Sequence, residues 1–174
     1  NIRAARLLSA LSPAVQKVQV KHFSAENFDK DMWIEIRYEI PRYAQLLAGG
    51  LEFQSPALKL VLSDGSLFRA GSTHWAGTRE NDLLLYFTQM VDIEESLKVP
   101  GGLKLHQKNE PVSVDETYGG FSAEMIQKGK LETRITAQVK RRQIPPEGYE
   151  GFRKTMVAAQ DWAEKTIRLE KEGE

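Results

Sequence analysis

Three histidines, His22, His74 and His106, and two adjacent carboxylate pairs, Glu94-Glu95 and Asp115-Glu116, are the side chains best suited to chemistry in this chain. Zinc-binding imidazoles usually come with a second ligand close by on the same element. No histidine here has another at i+3 or i+4, so a zinc site would have to be assembled wholly by tertiary structure, and no metal or other cofactor is expected. Neighbouring residues in a strand point to opposite faces, so neither carboxylate pair can share a substrate as an acid/base couple, and both read as surface charges. A glycosidase pair drawn from Glu35, Glu39, Asp92 or Glu94 would need two carboxyls about 5–9 Å apart across a cleft.

Nucleophilic routes are narrower still. The sequence has no cysteine, which removes a thiol nucleophile, a disulfide framework and thiolate-ligated metals. It has no Gly-x-Ser-x-Gly elbow to mount a hydrolase serine. The doublets Gly49-Gly50, Gly101-Gly102 and Gly119-Gly120 neither open a helix nor precede Lys-Ser/Thr, so they read as turns and not phosphate cradles. Trp33, Trp75, Tyr118 and Trp162 could stack on sugar rings if exposed on one sheet, but packing in a core or against another domain is the stronger reading. Trp33, Trp75 and Arg79 remain the candidate binding or interdomain surface.

Charge limits the partners. Lysine plus arginine and aspartate plus glutamate number 24 each, so no global field gathers phosphate backbones, and nucleic acid is excluded as a partner class. Lys140-Arg141-Arg142 reads as a solvated strand end. A hydrophobic content of 41% supports a folded core, and no apolar run approaches the ~20 residues of a spanning helix, so no membrane insertion is expected. The start at Asn1 shows neither an initiator Met nor a signal-peptide pattern, and reads as an internal boundary of a longer chain.

The elements that must position these residues follow from periodicity. Ala4, Leu7, Leu8 and Leu11 recur at helical spacing until Pro13, a helical lead-in over residues 1–13. Alternation predicts strands over Val15 to Phe23, Met32 to Ile40, Leu51 to Phe53 and Ala57 to Leu62, then a long loop from Ser66 to Asn81. From Leu83 the run LLLYF is apolar on both faces, as in a central strand, and alternates afterwards up to Val99. Short strands at Leu103 to His106 and Val112 to Asp115 precede a hairpin, Phe121 to Gln127 and Leu131 to Arg141, turning about Gly129. Past Pro145-Pro146 the period becomes helical, with Tyr149, Phe152, Met156, Ala159 and Ala163 on one stripe over 146–165, and a strand over 166–170 closes the chain. The expected fold is mainly β: one domain over 1–174, an antiparallel two-layer β-sandwich (15–141) with a short N-terminal helix and a C-terminal amphipathic helix.

The segments DMWIEIRYEIP, SPALKL, TRENDLLLYF with its Arg79, LKVPGGLKL and IPPEGYEGFRKTMVAAQDWAEKTIRLEK, in this order, carry a resemblance over about Val15 to Lys171. Together they resemble the C-terminal β-rich domain of bacterial transglutaminase-like proteins. In that family longer chains begin with a β-supersandwich domain of unknown function and hold a papain-like catalytic domain in the middle. The chain departs from the pattern where a proline tends to follow the arginine, reading Arg79-Glu80-Asn81-Asp82-Leu83 instead. The family's catalytic Cys, His and Asp belong to the middle domain, and no position here matches them. The resemblance therefore implies a domain that is no enzyme by itself, an accessory to a thiol hydrolase or acyltransferase, serving interdomain packing or substrate presentation. Its implied partners are other domains of the same chain and a protein, peptide or glycan ligand, in an extracytoplasmic setting such as periplasm or cell envelope. A reading from another class is an extracellular glycan- or peptide-binding sandwich using Trp33 and Trp75.

Overall fold

Alternating apolar and polar residues can bury one face of a ribbon only if something covers it, and this need organises the computed structural model, which describes residues 8, 12–22, 34–57, 77–106 and 110–171. Two units emerge, Asn1–Tyr43 and Ala44–Glu174. In the first, Gln16–His22 (β1) and Ile34–Glu39 (β2) pair antiparallel in a sheet of their own. The register slips between Gln16 and Gln19, where Lys17 takes a positive φ of 53°, and Lys17 Nζ reaches Glu39 at 2.8 Å. Ile36, Tyr38 and Ile40 are half-buried while Arg37 and Glu39 are exposed, the alternation expected for this strand. Of the predicted helical lead-in over 1–13, Leu8 is helical and buried, Ser12 donates its N–H to the Leu8 carbonyl at 3.4 Å, Pro13 is in a turn, and the rest lies outside the described residues.

The second unit runs Gln45–Leu47 (β3), Gly50–Gln54 (β4), Leu83–Leu84 (β5), Gln89–Lys98 (β6), Leu103–Leu105 (β7), Val112–Asp115 (β8), Gly119–Lys128 (β9), Lys130–Val139 (β10), Gln143–Ile144 (β11), a helix Pro146–Glu164 (α1) and Thr166–Lys171 (β12). Among the described residues two antiparallel four-stranded sheets form, ordered β6-β10-β9-β8 and β3-β4-β12-β7, with β5 and β11 as a small separate pair. The fold is mainly β, with the C-terminal helix where the period changes. Gly129, at φ 73°, turns β9 into β10.

One core joins the two sheets. Phe121, Ala123 and Met125 of β9 and Leu131, Ile135 and Ala137 of β10 share the buried face and cluster with Ala159 and Trp162 of α1 and Ile167 of β12; Phe53 of β4 and Leu105 of β7 pack at its margin. Burying such a side chain contributes roughly 1.5–3 kcal/mol. A second cluster, Val139, Ile144, Tyr149, Phe152 and Met156, takes in Leu83, Leu85 and Tyr118. The helical stripe runs as predicted through Ala159, but its last member is the buried Trp162, and Ala163 is only half-buried. On the outer side Arg153 donates from Nε and Nη2 to Glu150 at 3.0 and 2.8 Å, which holds the Glu150 carboxyl below the usual range.

Two sequence expectations are corrected. LLLYF is not a central strand: Leu83 and Leu84 pair with β11, the ladder stops at Leu85, and among the described residues the following β6 pairs with β10 alone. Its apolar residues divide, Leu83 and Leu85 entering the second cluster while Leu84 and Tyr86 face out. The strand predicted from Ala57 begins instead as a helical turn at Pro56-Ala57, and its remainder lies outside the described residues, as does most of the Ser66 to Asn81 loop. Strand β3 had no signal strong enough to predict it.

Among the described residues the side of β7 away from β12 is met by a side chain and not by a strand. Gln127 of β9 accepts from the Leu105 N–H at 2.6 Å and donates to the Leu103 carbonyl at 3.1 Å, occupying the hydrogen-bonding positions of a missing strand. On the other side β12 approaches β4 so closely that a Cβ on Gly50 would lie 1.8 Å from the Leu169 carbonyl oxygen. Gly50→Ala must therefore push these strands apart, and a loss of about 3 kcal/mol is expected, lowering the melting temperature by on the order of 10 °C. Calorimetric melting checks this, and an unchanged transition would contradict the packing of β4 on β12.

Candidate functional site

Inside the second unit, polar groups gather at one point. Ser55, directly after β4, Glu95 on the core-facing side of β6, and Thr133 of β10 are all buried, and Thr133 stands opposite Glu95 in the ladder. The Ser55 hydroxyl donates to Glu95 Oε2 at 2.6 Å and the Ala57 N–H to Oε1 at 2.8 Å. Burial pushes the Glu95 pKa up, and the bonds from Ser55 and Ala57 pull against that shift. This overturns the reading of Glu95 as a surface charge; the sequence showed only that Glu94 and Glu95 must part, and the core claimed the second. Ser55 is 1% exposed, so no substrate carbonyl can reach its hydroxyl. The cluster acts as a clamp that pins the chain leaving β4 to β6.

The other titratable groups are spread over surfaces. Asp92 accepts from the Thr136 hydroxyl at 2.7 Å and Glu94 lies 3.8 Å from Arg134, both on the outer face of β6. Asp115 takes Lys140, and Glu116 lies 3.9 Å from Lys154. His106, just after β7, pairs through Nδ1 with Glu170, which also meets Arg168 at 2.9 Å. His22 ends β1 opposite Ile34, and His74 lies outside the described residues. Among the described residues no three of His, Cys, Asp and Glu come together as a metal site.

Of the predicted surface residues only Arg79 is among the described ones. Trp33 and Trp75 lie outside the described residues, while the Arg79 guanidinium sits 5.4 Å from the centre of the Tyr149 ring at the start of α1. Trp162 belongs to the core and offers no platform for a sugar. Tyr118 is half-buried against Gly148, where a Cβ would approach its ring to 2.2 Å, and Arg141 covers the ring at 5.9 Å.

A different surface is more prominent. Leu84 and Tyr86 are 72% and 91% exposed, and Phe87 and Met90 are exposed beside them. Residues 84–90 run along residues 138–143: Leu84 faces Gln143, the Leu85 N–H donates to the Arg142 carbonyl at 2.8 Å, and Met90 faces Gln138. Arg142 Nε donates to the Leu85 carbonyl at 3.2 Å, and among the described residues neither Arg141 nor Arg142 forms an ion pair. Both arginines line a groove of about 590 Å³, together with Asp82, Thr88, Tyr118 and Gln143. Sequence reasoning saw the basic triplet and the apolar run separately, and no local signal brings together segments some 55 positions apart.

The family described as a domain of unknown function with solved-structure structure, DUF3858, matches residues 61–169. The chain belongs to the DUF3858 family. Its fold is similar to that of a crystal structure described as a putative protease from Parabacteroides distasonis, at a TM-score of 0.59 and 16% identity over 71% of this chain. The DUF3858 chain spans 24% of the length of that protein. No curated protein matches it in sequence.

For this DUF3858 member the clamp has two measurable consequences. Because the folded state raises the Glu95 pKa, it binds the proton more tightly than the unfolded chain. The group's stabilising contribution is thus full below the ordinary glutamate value of about 4.3 and lost as pH rises through the folded-state value. Urea titrations across this window should show Glu95→Gln losing less stability with rising pH than the native chain, and equal slopes would refute the linkage. The buried Thr133 hydroxyl has no partner among the described residues, so Thr133→Val should stabilise by about 1 kcal/mol in the same titrations; a loss of that size would mean the hydroxyl is satisfied.

Proposed function

We propose that this DUF3858 chain is a non-catalytic accessory domain that stands beside a transglutaminase-like thiol hydrolase or acyltransferase domain in a longer chain, packing against it or presenting its substrate. The observation that carries the reading is one of proportion: the fold corresponds to about a quarter of a chain described as a putative protease, which leaves the greater part of such a chain for other domains. Two facts support it. The sequence contains no thiol, and Ser55, held against the buried Glu95 carboxylate, is sealed from substrate. The resemblance in DMWIEIRYEIP, LKVPGGLKL and the PPEGY-led helix supplies the identity of the catalytic neighbour and an extracytoplasmic setting.

A glycan-binding sandwich is the competing reading, favoured by the exposed Tyr86 ring. Calorimetric binding of peptidoglycan glycan fragments that vanishes on Tyr86→Ala, with the melting temperature kept, would favour it. The accessory reading is tested with the purified chain, a glutamine-bearing peptide and a primary amine. No ammonia release and no amine incorporation are expected. Turnover that survives iodoacetamide, which silences any thiol enzyme carried along, would overturn the proposal.

A further inference from the structure

The surface built from residues 84–90 and 138–143 combines features that surfaces rarely keep without use. Four large side chains of one short segment, Leu84, Tyr86, Phe87 and Met90, are exposed, which is a liability unless something covers them. Tyrosine, methionine and arginine are also the residues enriched in the cores of protein interfaces. The segment is held from below: Leu83 and Leu85 anchor it in the second cluster, the Leu85 N–H and carbonyl bind Arg142, and Tyr118 is wedged on Gly148 under Arg141. A surface so supported loses little freedom on binding.

We infer that this face is a docking site for an acidic protein segment in which carboxylates flank an apolar side chain. Charge complementarity makes the choice. Arg141 and Arg142 line the groove without an ion-pair partner among the described residues, and Asp82, the acid at its wall, is engaged by the Gln143 amide. Guanidinium groups are planar forks that match carboxylates two bonds at a time. A neutral glycan leaves both forks unanswered. An anionic bilayer would draw on a broader lysine-rich field than a chain of zero net charge provides. The apolar row takes the hydrophobic side chain of the segment and the arginines take its acids. Resting on the accessory-domain reading, the segment is assigned to the neighbouring domain of the longer chain.

The test is a titration of the ¹⁵N-labelled chain with the capped peptide Glu-Asp-Leu-Phe-Glu-Asp and with its neutral counterpart Gln-Asn-Leu-Phe-Gln-Asn. Amide shifts from the acidic peptide should concentrate at 84–90 and 138–143. The neutral peptide should bind about tenfold more weakly, and added salt should reduce the difference. Arg141→Ser with Arg142→Ser, and separately Tyr86→Ser, should abolish the shifts while the melting temperature holds. Arg141→Glu with Arg142→Glu should transfer the preference to Lys-Lys-Leu-Phe-Lys-Lys, a gain that misfolding cannot produce. The inference is overturned if the acidic peptide leaves these amides unmoved, if both peptides bind alike, or if chitotetraose or phosphatidylglycerol vesicles move them and the acidic peptide does not. Failure here leaves the accessory reading standing when the chain shows no amide turnover, whereas iodoacetamide-resistant turnover removes that reading whatever the peptides do.

Discussion

Burial of the shared apolar face of β9 and β10 is the constraint on which the second unit depends. The two strands form a long hairpin whose inner side chains would be exposed without a cover, and the cover comes from distant parts of the chain. Helix α1 supplies Ala159 and Trp162, β12 supplies Ile167, and β4 and β7 add Phe53 and Leu105. Because β12 sits between β4 and β7, closing the core also completes the second sheet. The rest follows from where this cover ends: at one margin the chain leaving β4 needs the Glu95 clamp, and at the other the second cluster carries the β5–β11 pair and the exposed row beside it.

Polar groups are sorted by the same division. The outer face of the large sheet carries Asp92, Glu94 and Arg134 in loose, solvated pairs that contribute little energy. Inside, the Glu95 carboxylate is retained with two donors, at the point where the chain leaves β4. Such a group is an expensive fastener compared with an apolar contact, and it makes the position of Ser55 depend on the protonation of one residue.

The strands from Val112 to Val139 and the helix after Pro145 were legible because their periods of two and about 3.6 are carried by local order: Val112 to Asp115 was read to the residue, and α1 to within one. LLLYF was misread because a run of apolar residues looks the same whether it is buried on two sides or divided between a core and the surface, and only tertiary position decides. The burial of Glu95 was hidden for a related reason, since the pattern says which of two neighbours faces inward only after the sheet has been covered. Arg79, read from the sequence as part of a binding or interdomain surface, stands over the Tyr149 ring, a contact that no local pattern announces because Tyr149 reads only as a member of the helical stripe. The face formed by residues 84–90 and 138–143 exists solely through long-range register.

The amide of Gln127 has a bearing on how the protein ages. Its carbonyl oxygen and amino group satisfy one backbone donor and one backbone acceptor of β7 at once, as the paired oxygen and nitrogen of a carboxamide allow. Slow hydrolytic deamidation would leave a carboxylate there, still able to accept from Leu105 but facing the Leu103 carbonyl with like-signed oxygen. The strand would then show an unsatisfied acceptor to solvent, and an old preparation would acquire a ladder-forming margin that a fresh one keeps shut.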